Sequence, residues 1–77
     1  MNVEEFIGHL EEEFEDITPG TLKPESEFGK HFEITSINAL IMIALVNTEY
    51  GVVINANDLQ SSKTINDLYK IIKSRIE

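Results

Sequence analysis

Ser36 is the residue of this sequence whose type and position most readily suggest chemistry. It opens the segment SINALIMIALVNTEY, in which residues 39–46 contain nothing polar. No G-x-S-x-G motif surrounds it, and neither His9 nor His31 lies in a signature that would place it as a base. We therefore expect neither a nucleophilic Ser–His pair nor an enzyme.

Two other roles remain open for Ser36. Thr35 or Ser36 can cap the helix that follows, because Ser and Thr side chains accept hydrogen bonds from the first free amides. Alternatively, a serine at a helix N-terminus can carry a phosphodiester, since the free amides and the positive end of the dipole stabilise phosphate.

The composition limits the possible partners and ligands. Fourteen acidic and six basic residues give a net charge of −8, and there is no cysteine. Such a chain repels nucleic acid and favours basic protein partners. Without thiols it forms no disulfides, which suits a reducing compartment. The stretch NANDLQSSKTIND lacks the central Gly and closing Glu of a calcium-binding loop, so no metal site is predicted.

The length and the hydropathy pattern predict one domain, residues 1–77, with a small core. The longest apolar run is far below the ~18 residues that cross a bilayer, so we expect no membrane insertion. The N-terminal MNVEEF is acidic, whereas targeting peptides begin with basic residues. We expect a cytoplasmic monomer.

The acidic residues are concentrated at one end of the chain. Residues 2–16 hold seven of them and no Lys or Arg. This segment is typical of a solvated helix face, with acids favoured near the N-terminus. Steering of a partner is the alternative interpretation.

Apolar spacing and turn residues predict an all-α fold of three main helices and one short helix. The first helix has Asn2 as its cap and ends before Thr18-Pro19-Gly20, and its apolar stripe is Val3, Phe6, Ile7, Leu10 and Phe14. Residues 17–35 then form a long loop. The residues expected to pin this loop to the core are Leu22, Phe28, Phe32 and Ile34.

The second helix should begin at Thr35 or Ser36 and end at Tyr50, where Gly51 suits a left-handed cap. Asn55 or Asn57 caps a short helix through Leu59. Thr64 caps the last helix, whose apolar stripe is Ile65, Leu68, Tyr69, Ile72 and Ile76.

The second helix carries two apolar stripes. One, expected to face the core, consists of Ala39, Met42, Ile43, Val46 and Tyr50. The other consists of Ile37, Leu40, Ile41 and Ala44 and ends at Asn47 and Thr48. An exposed apolar stripe predicts a partner site. Cover by the first loop and self-association are the alternatives.

Taken together, these features resemble the acyl carrier protein family over nearly the whole chain. The family has an acidic first helix and a phenylalanine eight residues before the serine that starts the second helix, here Phe28 and Ser36. Thr35-Ser36-Ile37 corresponds to the family's Asp-Ser-Leu motif. Tyr50-Gly51 matches the end of the second helix, and residues 54–65 match the segment that follows.

The resemblance implies a function. A phosphopantetheinyl transferase, using coenzyme A and magnesium, would esterify Ser36 with 4′-phosphopantetheine, whose thiol carries an acyl group as a thioester. Acyl-transfer, ketosynthase or ligase enzymes would dock on the second helix through Thr35, Ile37, Asn38, Leu40, Ile41, Ala44, Asn47 and Thr48. An acyl-chain cavity would be lined by Phe28, Ala39, Met42, Ile43, Val46, Leu59 and Leu68.

The sequence departs from the family at the docking helix. Thr35 replaces the usual Asp, and Glu49 is the only charged residue from Ser36 to Tyr50. We therefore expect docking to rely on apolar contact, so that Ile41→Glu weakens it, and we expect a specialised fatty-acid or polyketide-type pathway. An aminoacyl or peptidyl carrier and a non-carrier interaction module of the same fold are the alternatives.

Overall fold

The structure is a computed structural model that describes residues 2–15, 17–18, 20–31 and 35–76, apart from the side chains of Phe28, His31 and Ser36. Within these residues the chain forms helices and no β-strand, which confirms the all-α class. Three long helices and two short ones follow in order: α1 Val3–Glu13, α2 Phe28–His31, α3 Ser36–Tyr50, α4 Ala56–Ser61 and α5 Ile65–Arg75.

Local sequence signals fix most helix ends as expected. The Asn2 side chain accepts a hydrogen bond from the Glu5 N–H at 2.8 Å, so Asn2 caps α1. Asn55, and not Asn57, caps α4. Asn55 and Thr64 each form a capping box with an aspartate three residues later. In each box the cap side chain accepts from the aspartate N–H, and the aspartate side chain accepts from the cap N–H.

The first half of the chain differs from the prediction at the end of α1 and in one additional short helix. Helix α1 ends at Glu13, with Phe14 as its C-cap, several residues before the predicted stop, of which Pro19 lies outside the described residues. The stretch predicted as a long loop, residues 17–35, also contains the four-residue helix α2, which was not predicted. A single helical turn gives too little periodicity to stand out in the sequence.

The connection between α1 and α3 is held at several points. Ile17 and the predicted Leu22 are buried in the core, whereas Phe32 and Ile34 lie outside the described residues. The Gly20 N–H donates to Glu11 Oε2 at 2.7 Å, which ties the loop to α1. The first two N–H groups of α5 donate to the Ser26 and Pro24 carbonyls at 3.1 and 2.9 Å. The loop is therefore anchored to the start of α5.

One hydrophobic cluster joins the helices. Helix α1 contacts both α3 and α5, and α4 contacts α5. The cluster consists of Phe6, Ile7, Leu10, Phe14, Ile17, Leu22, Met42, Leu45, Val46, Val52, Ile54, Leu59, Ile65, Leu68, Tyr69 and Ile72. Ile76, predicted to continue the stripe of the last helix, is 45% exposed and lies just beyond α5.

The face that α3 turns to this core differs from the predicted stripe. Met42 and Val46 are buried as expected, but Ala39, Ile43 and Tyr50 are only partly buried. Leu45, which the stripes left out, is 7% exposed. The core side of α3 is thus rotated from Ala39 and Ile43 toward Leu45.

An ion pair ties the C-terminal end of the chain to α4. The Arg75 guanidinium donates to both carboxylate oxygens of Asp58, at 2.7 and 3.0 Å, and to the Val53 carbonyl at 3.2 Å. The two bonds from Arg75 to Asp58, together with the bond from the Asn55 N–H, hold the pKa of Asp58 below its usual range.

Replacing Arg75 with Gln should remove a stabilising interaction that depends on pH. Because the pKa of Asp58 is lower in the folded chain, this contribution is complete above the ordinary value of 3.8 and is lost as pH falls through the lower folded-state value. We expect the free energy of unfolding of Arg75→Gln to fall below that of the wild type at neutral pH, with the gap narrowing in acid. Urea unfolding over a pH series measures this gap.

Lys73→Gln is the control, because it removes the same charge from an exposed position on the same helix. Its difference from the wild type should not follow the titration of Asp58. A gap for Arg75→Gln that is constant over the whole pH series would contradict the assignment.

Candidate functional site

The structure decides which residue caps the helix that Ser36 opens. Thr35 has extended backbone angles, and its Oγ1 accepts the Asn38 N–H at 3.1 Å. Its carbonyl accepts the Ala39 N–H at 2.9 Å. Thr35 is therefore the N-cap and Ser36 is the first residue of α3, so the cap interpretation does not apply to Ser36.

The start of α3 has the electrostatics that a phosphate group requires. The first turn of a helix carries amides without intrahelical partners and the positive end of the dipole. The first turn of α3 contains no acidic residue that would oppose an anion. Thr35 is exposed, and Ile37 is 70% exposed. The start of α3 thus has a charge environment that suits a phosphodiester group, and the residues on either side of Ser36 are exposed.

The predicted docking residues form a mostly exposed side of α3. Ile37 and Leu40 are 70% and 65% exposed, which is unusual for large apolar side chains on one helix. Asn38 and Ile41 are half-buried, and Ile41 packs against the core. The remaining predicted docking residues are exposed: Thr35, Ala44, Asn47 and Thr48. We call the surface of Ile37, Leu40 and Ala44 the apolar face.

The residues predicted to line an acyl cavity lie together in or against the hydrophobic core. Met42, Val46, Leu59 and Leu68 are each at most 2% exposed. Ala39 and Ile43 pack against the same cluster from partly buried positions, and the Phe28 side chain lies outside the described residues. These residues are neighbours in space, and an acyl cavity among them stays a prediction.

A groove lies elsewhere, between the end of α1 and α3. Its volume is about 280 Å³, and its lining residues are Glu13, Ile41, Ala44, Leu45, Thr48 and Glu49. Sequence reasoning missed Glu13, Leu45 and Glu49. Leu45 follows Met42 by three residues, so the helical spacing rule could have found it. Glu13 and Glu49 give no such signal, because helix packing determines which part of α3 the end of α1 approaches.

The described histidine belongs to the opposite end of α3 from Ser36. His9 Nε2 lies 3.5 Å from Glu49 Oε1, and its ring centroid lies 5.8 Å from that of Tyr50. Glu49 follows Ser36 by thirteen residues, which is about 20 Å along a helix. His9 therefore cannot serve as a base for Ser36, and it joins α1 to α3 instead. The His31 side chain lies outside the described residues.

Tyr50 is the last residue of α3 and lies at the same end of the helix as His9. Its ring centroid lies 6.1 Å from that of Phe6, in an edge-on arrangement. Burial, followed by the nearby charges of Glu5 and Glu49, raises the pKa of Tyr50. The hydroxyl therefore stays neutral at physiological pH and takes part in packing.

Within the described part of the chain, no group of three or more His, Cys, Asp or Glu side chains is placed to hold a metal ion. No helix there has the length and apolar character needed to cross a bilayer.

A comparison with protein families gives one match of direct relevance. The family model described as "Phosphopantetheine attachment site" matches residues 5–72, which is most of the 77-residue chain. The matched range contains α3, which begins at Ser36, and its cap Thr35. No curated protein and no solved structure matches the chain significantly.

Replacing Thr35 with Ala should destabilise the chain because it removes the cap of α3. Loss of a Thr N-cap costs about 1 kcal/mol. Thr35→Asp is the matched control, since Asp caps as well as Thr and also favours the dipole. Urea unfolding followed by circular dichroism measures both variants. An equal loss of unfolding free energy in Thr35→Ala and Thr35→Asp would contradict the capping role of Thr35.

Proposed function

The chain belongs to the family of phosphopantetheine attachment domains, and we propose that it is a discrete acyl carrier protein with its 4′-phosphopantetheine on Ser36. The observation that supports this most directly is the position of Ser36 as the first residue of α3, directly after the Thr35 cap. A specialised fatty-acid or polyketide-type pathway is part of the proposal, because α3 has Glu49 as its only charged residue.

The phosphopantetheine group supplies a thiol that holds an acyl chain as a thioester. The contribution of this chain is to hold and present the group. Thr35 fixes the first turn of α3 through the bond between its Oγ1 and the Asn38 N–H. The dipole of α3, with no acid in its first turn, stabilises the negative phosphodiester.

Carrier domains of this family do no chemistry themselves, and we propose the same of this chain. Its partners are a phosphopantetheinyl transferase, which transfers the arm from coenzyme A to the Ser36 hydroxyl, and acyl-transfer, ketosynthase or ligase enzymes. The apolar face lies next to Ser36, because Ile37 and Leu40 follow it by one and four residues on the same helix. A partner that contacts this face is thereby placed beside the arm.

The buried residues predicted as a cavity are the proposed shelter for the acyl chain. Met42 and Val46 lie on the same helix as Ser36, six and ten residues further along. Leu59 and Leu68 complete the same cluster from α4 and α5. Because these side chains are packed in the structure, an acyl chain would have to displace them to enter.

The same arm would also serve an aminoacyl or peptidyl carrier, which differs in its cargo. A non-carrier interaction module is the second candidate. The observation that favours it is Thr35 in the position of the family's Asp, together with an exposed apolar face that could bind a protein without any arm.

Incubation with coenzyme A, magnesium and a broad-specificity phosphopantetheinyl transferase should add one phosphopantetheine to the wild type and none to Ser36→Ala. Ser61→Ala is the control, because it removes another exposed serine hydroxyl and should load like the wild type. Intact-mass spectrometry measures all three. A wild type that stays unmodified, also with transferases of its own organism, would contradict the carrier function and favour the interaction module.

Replacing Leu40 with Glu should weaken docking of the transferase. Leu40 is 65% exposed, so a partner that covers it gains about 1.5–3 kcal/mol of apolar burial. We therefore expect kcat/KM for loading to fall roughly tenfold or more, mainly through KM. Leu40 is a better test than Ile41, because Ile41 packs against the core and its replacement by Glu would also destabilise the fold.

The control for Leu40→Glu is Val53→Glu. Val53 is 72% exposed in the connection between α3 and α4, so this substitution makes the same charge change on a similarly exposed side chain. It should leave loading nearly unchanged. Equal effects of the two substitutions would mean that added charge, and not the apolar face, controls docking.

A further inference from the structure

The Tyr50 hydroxyl is buried and has no hydrogen-bond partner among the residues that the structure describes. A buried donor without a partner costs free energy, because it has lost its bonds to water and gained none in the protein. Folded chains satisfy nearly all such groups, so an exception needs a physical reason. A phenylalanine would fill nearly the same space without this cost. Tyr50 therefore carries a hydroxyl that the described part of the fold does not use.

The Tyr50 side chain packs against aromatic rings, and two carboxylates lie within electrostatic range. Its ring centroid lies 6.1 Å from that of Phe6, which lies 6.3 Å from that of Tyr69 on α5. The charges of Glu5 and Glu49 act on the hydroxyl, but neither carboxylate accepts a hydrogen bond from it. Burial, followed by these charges, raises the pKa of Tyr50, so the hydroxyl keeps its proton at neutral pH. The group is therefore a donor that lacks an acceptor.

Tyr50 continues the side of α3 that carries the proposed acyl shelter. Val46 and Met42 precede it by four and eight residues, so the three side chains follow one another along one side of the helix. Val46 and Met42 are each at most 2% exposed, and Tyr50 packs against the same hydrophobic cluster. Ser36 is the first residue of α3 and Tyr50 is the last. A chain that enters the shelter from the arm and runs along Met42 and Val46 therefore approaches Tyr50 at its inner end.

We infer that the Tyr50 hydroxyl is the polar inner end of the proposed shelter and selects acyl chains that carry an oxygen beyond the thioester. A ketone or hydroxyl oxygen on the chain accepts the hydrogen bond that the described part of the protein does not accept. A plain hydrocarbon chain leaves the same hydroxyl without a partner. A carboxylate at the chain end is disfavoured, because Glu5 and Glu49 lie near Tyr50 and burial penalises a charge. The cargo class is thus an uncharged, oxygenated acyl chain.

This inference rests on the proposed carrier function and on the proposed shelter, and it names the chemical class of the cargo. Selection acts through one hydrogen bond between neutral groups. The net effect of such a bond corresponds to about threefold to tenfold in an equilibrium constant. The contribution of Tyr50 is therefore specificity for one class of chain, and the apolar side chains of the shelter hold either class.

The test uses the full chain, loaded on Ser36 from octanoyl-coenzyme A or from its 3-oxo, 5-oxo and 7-oxo derivatives. Urea unfolding followed by circular dichroism gives the unfolding equilibrium constant of each loaded protein, for the wild type and for Tyr50→Phe. A chain that reaches Tyr50 with its ketone should stabilise the wild type over Tyr50→Phe by about threefold to tenfold more than octanoyl does. The 7-oxo and 5-oxo chains should show this preference, because their ketones lie further from the thioester than that of the 3-oxo chain.

Tyr69→Phe is the matched control, because it removes the other tyrosine hydroxyl of the same cluster, which is not a buried group without a partner. It should leave the preference among the four chains unchanged. The unloaded chain provides a second check. There Tyr50→Phe should be at least as stable as the wild type, because it removes a buried donor that has no partner. A clear loss of stability would show that the hydroxyl is already bonded within the protein and would overturn the inference.

Intact mass after loading separates this inference from the carrier function. Failure to load Ser36 would reject the carrier function and the inference with it. Normal loading with no stabilisation by the octanoyl chain would reject the shelter and its selectivity. A stabilising octanoyl chain, with no preference that depends on Tyr50 for any of the three oxo chains, would overturn the selectivity alone. An equal loss of the preference in Tyr69→Phe would also overturn the assignment to Tyr50.

Discussion

Helix α3 imposes the main physical constraint on this protein, because one helix must supply both the core and an apolar surface. Met42, Leu45 and Val46 bury one side of it in the common cluster. On the other side Ile37 and Leu40 remain largely in water, although each would gain free energy from burial. A chain of this size has too few helices to cover both sides. The second side is therefore available to a partner, and the serine that bears the proposed arm lies at its edge.

The ends of α3 are held by short-range interactions of different kinds. At its start the Thr35 side chain caps the first turn, and at its end Gly51 adopts φ 68°, a left-handed conformation that glycine takes at little cost. Between these points the helix is fixed by packing against α1, with Tyr50 contacting Phe6 and His9. This combination makes Ser36 the first residue of a helix that is capped at both ends and packed against α1, which supports the proposed attachment of the arm there.

The remaining elements support α3 from both sides. The segment of residues 24–27 bonds to the start of α5 through the Pro24 and Ser26 carbonyls and pairs Glu27 with Thr64. The Arg75–Asp58 pair ties the end of α5 to the start of α4. These contacts join parts of the chain that are far apart in sequence. They hold the described part of the connection before Ser36 in place and offset the conformational entropy that its ordering costs.

The distribution of charge separates two kinds of surface. Among the acids of α1, Glu13 lines the groove together with Glu49 of α3, and the charge of Glu5 acts on Tyr50 at the end of α3. The apolar face of Ile37, Leu40 and Ala44 carries no charge. A partner would therefore meet apolar contact first near Ser36 and charge further along the helix. This arrangement allows affinity and orientation to be set by different residues.

The sequence by itself determined the features that depend on a few neighbouring residues. Asn2, Thr64 and Gly51 mark helix ends because a cap involves atoms only a few residues apart. The apolar spacing predicted the all-α class, and the joint spacing of the acidic first helix, Phe28, Ser36, Tyr50-Gly51 and residues 54–65 predicted the family. Tertiary structure decided that Leu45 is buried more deeply than Ala39 and Ile43, which only partly pack against the core, and that Arg75 reaches Asp58. It also brought Glu13 beside Glu49 to form a groove. These outcomes depend on how whole helices pack, and packing is set by side chains far apart in the chain that no local pattern relates.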